Sequence, residues 1–97
     1  MPSAYILYSK SKDKYYIGFT TETAALRLDR HNNDYYDDKS TADGKPWELF
    51  LEITCDTNQQ ARCIEEHIKS MKSRRYIENL MKYPEMVDKL KERYKDC

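Results

Sequence analysis

Glycine and proline are scarce in this sequence, with two glycines and three prolines among 97 residues. Long linkers and disordered stretches are usually enriched in both residues, so their scarcity argues against such segments. The length fits one compact domain. Because a domain of this size is only marginally stable, most of its apolar residues should be committed to packing. We therefore expect one globular unit with a modest core.

An excess of charge of either sign is also lacking. The 17 basic and 17 acidic residues give a formal net charge of zero. Proteins that coat nucleic acid are usually strongly basic, so the composition by itself favours a neutral domain with no nucleic-acid partner. Any binding to nucleic acid must therefore come from a local patch of basic residues.

Long apolar runs and paired cysteines are missing as well. No run approaches the ~20 residues of a membrane span, and no signal peptide opens the chain. The cysteines, Cys55, Cys63 and Cys97, form no CxxC pair. We therefore expect reduced thiols and a cytoplasmic protein with no membrane association. Cys63 and His67 are spaced like zinc ligands on a helix, but a zinc site is disfavoured because no third or fourth ligand is evident.

Aromatic and apolar runs divide the chain into seven predicted elements. Alternation with β-branched or aromatic residues predicts the strands, and apolar residues three or four apart predict the helices. The stretch 20–23 offers several helix caps, with Glu22 suited to a first helical turn. Thr57 or Asn58, and then Ser73, can cap later helices. In chain order we predict strands at 4–9 and 15–19, a helix at 23–33, a strand at 47–55, and helices at 58–72, at 73–81 and from 84 onward.

The order β-β-α-β-α-α-α predicts an α+β fold with a small three-stranded, at least partly antiparallel sheet flanked by helices. We assign residues 1–82 to one domain and 83–97 to a C-terminal amphipathic helix packed on that domain. The apolar stripe of this helix is typical of a core contact, although it could also serve a partner protein or a second copy of the chain. The stripe consists of Tyr83, Met86, Val87, Leu90 and Tyr94.

Four motifs stand in order and at suitable spacing. They are Ser3-Ala4-Tyr5 with Tyr16-Ile17-Gly18, then Arg27-Leu28-x-x-His31-Asn32, then Lys45-Pro46-Trp47-Glu48-Leu49, and last Glu65 leading into Ile68-Lys69 and Ser73-Arg74-Arg75-Tyr76-Ile77. In these motifs the chain resembles the GIY-YIG endonuclease superfamily, most closely its small stand-alone members and the nuclease domain of the excinuclease C subunit. The resemblance runs from about Tyr5 to Leu80. Ser3 replaces the family's first glycine, a position that we interpret as serving backbone geometry.

The resemblance implies a metal-dependent endonuclease that hydrolyses phosphodiester bonds in DNA, in repair or recombination, with Mg²⁺ or Mn²⁺ as cofactor. It further implies Glu65 as the metal ligand and Asn79 as an additional site residue. The catalytic residues that it implies are Tyr5, Tyr16, Arg27, His31 and Glu65.

The residue types on the two helices suit these roles. Glu65 shares the inward helix face of Ala61 and Ile68, where a carboxylate is costly unless it is paired or binds a cation. A salt bridge at the edge of that face is the alternative. Arg27 and His31 share one face. Arg27 could stabilise phosphoryl charge, and His31 could bond a phosphate oxygen or orient a tyrosine. An exposed arginine and a histidine satisfied by the helix dipole are the alternatives.

Tyr5 and Tyr16 lie on the two hairpin strands. A free phenol has a pKa of ~10, so it needs a nearby cation or metal to act as a base near neutrality. We interpret Tyr16 as the base or proton relay and Tyr5 as a positioning group. Gly18 lies on the same strand face as Tyr16 and leaves room for a close backbone or phosphate approach. Because the chain has nine tyrosines, ordinary strand aromatics are the alternative.

Basic residues cluster after the glutamate and in the hairpin. They could hold a phosphate backbone and make binding salt-dependent, although a solvated surface is the alternative. Asp34, Asp37 and Asp38 would repel DNA, so we expect that stretch to lie away from a duplex or to move. The predicted nucleic-acid-binding residues are Lys14, Lys69, Lys72, Arg74 and Arg75.

Two other functions compete with the nuclease: a nucleic-acid-binding module without catalysis on the same fold, and a protein-interaction domain. The complete set of five catalytic candidates favours the nuclease, because a purely binding domain has no need of a carboxylate beside phosphate-seeking groups. A homodimer, or a partner protein that targets the enzyme to DNA, is compatible with each of these functions.

Overall fold

Three strands and four helices follow one another in residues 1–32 and 45–97, the part of the chain that this computed structural model describes. Their order confirms the predicted β-β-α-β-α-α-α arrangement. The elements are β1 (Ser3–Ser9), β2 (Lys14–Thr20), α1 (Ala24–Asn32), β3 (Trp47–Thr54), α2 (Asn58–Met71), α3 (Arg74–Lys82) and α4 (Pro84–Arg93).

The sheet has the order β2-β1-β3, and both pairs of strands are antiparallel. The predicted α+β fold is confirmed, and the sheet is antiparallel throughout. In the central strand, Tyr5 stands opposite Gly18 on one side and opposite Glu52 on the other. Directly opposite residues point to the same sheet face, so these three side-chain positions share one face.

Helices cover both faces of the sheet. Because successive side chains of a strand point to opposite faces, Ala4 and Ile6 join the core beneath α2, α3 and α4, while Tyr5 and Leu7 join a smaller cluster with Ala24 of α1. These four β1 residues are each at most 3% exposed. The central strand is therefore buried on both sides.

Side-chain caps set the beginnings of α2 and α3. The Thr57 hydroxyl accepts a hydrogen bond from the Gln60 amide at 3.0 Å, and the Ser73 hydroxyl accepts one from the Tyr76 amide at 3.1 Å. Ser73 was predicted as a cap, and Thr57 was one of the two candidates for the earlier one, with Asn58 as the other. Lys72 adopts a left-handed conformation between the two helices, with φ of 47°. That reversal ends α2 and turns the chain into α3.

Helix α1 begins at Ala24, one residue later than predicted, because the Thr23 hydroxyl accepts from the Leu26 amide and makes Thr23 the cap. Glu22 was expected in the first helical turn but lies before the helix, and its carboxylate is 3.8 Å from the Arg30 guanidinium. The predicted end of this helix at residue 33 lies outside the described residues.

Helix α4 packs on α2. Leu90 is buried in the larger core cluster, and Met86, Val87 and Tyr94 pack against that cluster. Tyr83, which was expected in the same stripe, is 41% exposed. The described contacts of the stripe are thus mostly core contacts.

Two cysteines form a disulfide, Cys63 of α2 with Cys97 after α4, across Cα atoms 6.7 Å apart. The expectation of reduced thiols is therefore wrong for this pair, because the turn after α4 returns the chain to α2. Cys55 is a buried free thiol. Since Cys63 is bonded to sulfur, it cannot pair with His67 as a zinc ligand.

None of the helices in residues 1–32 and 45–97 combines the length and the apolar character that crossing a membrane requires.

The Tyr5 ring lies where a side chain at position 18 would be. A Cβ added at Gly18 would stand 2.9 Å from Tyr5 Cε2 and closer still to Cζ and the phenol oxygen. We expect Gly18→Ala to lower the free energy of unfolding by about 1–3 kcal/mol, because the buried ring must move. Urea denaturation measures this. In a Tyr5→Ala background the same substitution should cost much less, and an equal cost in both backgrounds would rule out the steric explanation.

His67 bridges two helices through its ring: Nε2 lies 3.1 Å from the Tyr76 hydroxyl, and Nδ1 lies 2.9 Å from that of Tyr94. Burial, with a smaller contribution from the Arg93 cation, lowers the pKa of His67 below its ordinary 6.5. The unfolded chain then binds the proton more readily than the folded one. The resulting stability is present above pH 6.5 and is lost as the pH falls through that value and the folded pKa.

We therefore expect the urea midpoint to drop more steeply between about pH 7.5 and pH 5 in the parent than in His67→Gln. Glutamine keeps polar atoms near both tyrosines but does not titrate. Parallel curves for the two proteins would show that His67 carries none of the acid sensitivity.

Candidate active site

The five predicted catalytic residues converge on one pocket. It has a volume of about 230 Å³ and opens beside β2, an outer strand of the described sheet. Strands β1 and β2 and helices α1 and α2 each contribute to it. The described residues that line it are Tyr5, Tyr16, Gly18, Phe19, Arg27, His31 and Glu65.

The two hairpin tyrosines sit differently. Tyr5 is on the central strand and is 3% exposed, and its hydroxyl shares a hydrogen bond of 3.3 Å with His31 Nε2. Tyr16 is half-buried on β2, with its ring centroid 4.9 Å from that of His31. Gly18 was expected to leave room for backbone or phosphate, but the Tyr5 ring takes up that space. The glycine serves the placement of this tyrosine.

Helix α1 supplies Arg27 and His31, one turn apart on the same face. His31 is 3% exposed, and its hydrogen bond to Tyr5 matches the prediction that it could orient a tyrosine. The histidine thereby links α1 to the central strand, with Arg27 one turn nearer the beginning of the helix. The helix brings a cation to the same pocket as two phenols.

Helix α2 supplies Glu65. The neighbouring Ile64 and Ile68 lie in the core, and the Glu65 side chain is 17% exposed. Its carboxylate is 3.5 Å from Lys69 Nζ, one helical turn later. Glu65 therefore lines the pocket and also has the salt bridge that was its alternative interpretation.

Two residues that hold α1 against β3 were missed by the sequence analysis. Glu52 Oε2 accepts from the Ala24 amide and from the Ser3 hydroxyl, each at 3.0 Å. The Asn32 side chain accepts from the Trp47 amide at 2.6 Å and donates to the Trp47 carbonyl at 3.0 Å. Glutamate on the exposed side of an outer strand carries no sequence signal for such a role. Asn32 belonged to the helix motif but had no assigned task.

A second depression, of about 270 Å³, lies on the opposite side of β2 and along α2. Four of the predicted nucleic-acid-binding residues line it, and Arg75 is not among its described lining residues. Because Glu65 and Lys69 are one turn apart on α2, the depression adjoins the pocket. The basic residues that line it are Lys14, Lys69, Lys72 and Arg74.

Arg74 is already engaged within the protein. Its guanidinium binds the Asp13 carboxylate, donates to the Asp13 carbonyl at 2.9 Å, and lies 3.7 Å from the Glu78 carboxylate. It also lies 5.2 Å from the centroid of the Tyr15 ring. These contacts tie the hairpin turn to α3, so Arg74 would have to exchange Asp13 for a phosphate in order to bind one.

Asn79, predicted as an additional site residue, is half-buried on α3 and is not among the described residues that line the pocket. Its carbonyl accepts from the Tyr83 amide at 2.8 Å, a bond that closes α3. Asp34, Asp37 and Asp38 lie outside the described residues.

The pocket offers oxygen donors to a cation: one carboxylate, from Glu65, and the phenols of Tyr5 and Tyr16. In residues 1–32 and 45–97 no three His, Cys, Asp or Glu side chains are grouped as a metal-binding cluster. Mg²⁺ keeps several waters and commonly takes only one or two protein carboxylates together with substrate phosphate. The donor set therefore fits a hard divalent cation bound largely by water and phosphate.

Comparison with curated proteins and with solved structures found no significant match. The model of one protein family, described as the GIY-YIG catalytic domain, matches residues 1–80. This range contains all five residues of the pocket that the sequence motifs predicted, together with both residues that hold α1 on β3. The match spans most of the chain, which therefore belongs to the GIY-YIG family of nuclease-type enzymes.

Proposed function

We propose that the protein is a metal-dependent endonuclease that hydrolyses phosphodiester bonds in DNA, acting in repair or recombination. The observation that carries the proposal is the convergence of Tyr5, Tyr16, Arg27, His31 and Glu65, drawn from four different elements, on one pocket. A general structural role would not require two phenols, an imidazole, a guanidinium and a carboxylate to meet at one opening.

Arg27 binds the scissile phosphate. Its planar fork of donors matches two phosphate oxygens, and its permanent charge stabilises the negative charge that grows on them as the attacking oxygen approaches phosphorus. Because Arg27 already lines the pocket without substrate, little reorganisation is needed at the moment of reaction.

The two tyrosines divide the work on the attacking water. Tyr16, the less buried of the two, takes the proton of the water or relays it, and it lies in the same pocket as Arg27. Tyr5 is held by His31 and positions the water or the phosphate. The imidazole thus acts on the reaction through the phenol that it orients.

Glu65 would hold the divalent cation, Mg²⁺ or Mn²⁺, together with waters and phosphate oxygen. When bound, the cation supplies Lewis-acid stabilisation of the leaving oxygen. Without the cation, the positive charge of Lys69, whose Nζ lies 3.5 Å from the Glu65 carboxylate, partly neutralises Glu65. One carboxylate supports a single cation, and not the paired-cation arrangement of two-metal nucleases.

The basic depression beside the pocket supports binding of the DNA backbone. Lys14, Lys69, Lys72 and Arg74 line it. Arg74 would contact phosphate after release from Asp13, and Arg75 would add a further positive charge. Because the formal net charge of the chain is zero, attraction to DNA depends on this local group. Binding should therefore weaken steeply as salt is raised.

Glu65→Gln should all but abolish cleavage while leaving the fold intact. Removing the carboxylate removes the cation's anchor, and Lewis-acid stabilisation is worth several kcal/mol, so we expect a loss on the order of 10³-fold. The assay is cleavage of supercoiled, linear, flapped and branched DNA with Mg²⁺ or Mn²⁺.

Glu66→Gln is the matched control, because the side chain of Glu66, the next residue, is 67% exposed and pairs with Arg62 at the surface. If Glu65→Gln cuts as fast as the parent, Glu65 is not the metal ligand. A parent that binds DNA in a salt-sensitive way but never cuts would instead identify a binding module.

Arg27→Ala should lower kcat by about 10²–10³-fold and change KM far less, since the charge it stabilises is greatest in the transition state. Arg30→Ala is the control on the same helix: Arg30 pairs with Glu22 and is not among the described lining residues. An effect of Arg27→Ala confined to DNA affinity would refute the transition-state role.

A further inference from the structure

Helix α1 is attached to β3 at both of its ends. Near its beginning, Glu52 accepts from the Ala24 amide at 3.0 Å, and at its end Asn32 pairs with both backbone groups of Trp47. The helix and the strand run in opposite directions between these two points. Arg27 and His31 lie between the attachments, so the distance between the attachments fixes how far along the sheet both side chains reach into the pocket.

Ser3 determines which way Glu52 points. The Ser3 hydroxyl, on a residue that is fully buried, donates to the same Oε2 atom that accepts from Ala24, again at 3.0 Å. Glu52 itself is exposed on an outer strand, where a glutamate would otherwise sample several rotamers. With Ser3 holding it, one carboxylate oxygen joins β1, β3 and the first residue of α1.

The helix depends on tertiary contacts such as this one for its position. Helix α1 has nine residues, whereas helices shorter than ~12–15 residues are marginal in water and depend on tertiary contacts. A carboxylate at the helix beginning satisfies an amide without a helical partner and complements the positive end of the helix dipole. Thr23 caps the Leu26 amide, but it belongs to the same segment and cannot fix the helix to the sheet.

We propose that Glu52, oriented by Ser3, is a positioning residue for the reaction: it sets the placement of α1 and thereby of Arg27 and His31. Glu52 does not line the pocket as described, so it acts through the helix and not on the substrate. Ser3, which replaces the family's first glycine, would thus serve to orient Glu52. This inference rests on the proposed nuclease activity.

The decisive comparison is between Glu52→Ala and Glu52→Gln. Glutamine keeps an acceptor oxygen where Oε2 accepts both hydrogen bonds and loses only the charge, whereas alanine loses both bonds. We expect Glu52→Ala to lower kcat by roughly tenfold to a hundredfold with little change in KM, because a shift of about 1 Å can cost that much. Glu52→Gln should stay within about twofold of the parent, since the acceptor is retained. Ser3→Ala should lie in between.

Two further variants separate positioning from charge and from stability. Glu48→Ala removes an exposed carboxylate of the same strand, which pairs with Lys10. Leu90→Ala destabilises the protein from α4, at a buried residue of the other core cluster. Both should keep the parent's kcat when assayed below their unfolding temperatures. If Leu90→Ala lowered kcat as much as Glu52→Ala, the effect of Glu52→Ala would be explained by lost stability, and the proposal would be overturned.

A second readout does not depend on cleavage. The chain has two histidines, so the imidazole NMR signals of His31 and His67 can be followed at fixed pH. Glu52→Ala should shift the His31 signals and leave those of His67, on α2, in place, while Glu52→Gln should shift neither. Unmoved His31 signals in Glu52→Ala, or a Glu52→Gln variant as slow as Glu52→Ala, would overturn the inference. A parent that cuts no DNA would overturn the proposed function, and the His31 signals would still decide whether Glu52 places α1.

Discussion

Burial of β1 on both faces is the constraint on which the rest of the molecule depends. Alternate residues of this strand enter two separate clusters, one beneath α2, α3 and α4 and the other beneath α1. Where two strands of the sheet come this close, one residue must give room to the other, as Gly18 does to the Tyr5 ring. Because Tyr5 belongs both to the core and to the pocket, packing and chemistry share the same side chain.

The separation of the faces also explains the layout of charge. The pocket lies on the α1 face, where the phenols and Arg27 meet, and the basic depression lies on the α2 face of the same outer strand. Glu65 on α2 reaches the first, and Lys69 one turn later reaches the second. A chain with no net charge can in this way present a local cation-rich surface without becoming basic as a whole.

Features that depend on local spacing could be predicted from the sequence. The apolar periodicity of α2 and α4, the caps Thr57 and Ser73, and the hairpin all follow from short-range rules. The five pocket residues were recognised because their motifs are short and ordered. The structure shows that they meet in one place, while their chemical roles rest on the proposal.

Features that depend on contacts between distant residues could not be predicted. Ser3 and Glu52 are 49 positions apart, and no pattern in the sequence predicts their hydrogen bond. The same holds for the disulfide between Cys63 and Cys97. It also holds for the ion pair of Asp13 with Arg74, an arginine that was predicted to bind DNA. Glu22 lies before the helix and not in its first turn, because the next residue, Thr23, caps the helix through the Leu26 amide.

The bidentate pairing of Asn32 with the backbone of Trp47 has a consequence for how this family member can change. The two residues bring the flanks of the intervening segment together, whatever that segment contains. Once its ends are held, lengthening a connection is inexpensive, since doubling its length adds only about 0.6 kcal/mol of closure entropy. The stretch between residues 32 and 47 can therefore acquire insertions or new residues while Arg27 and His31 stay where they are.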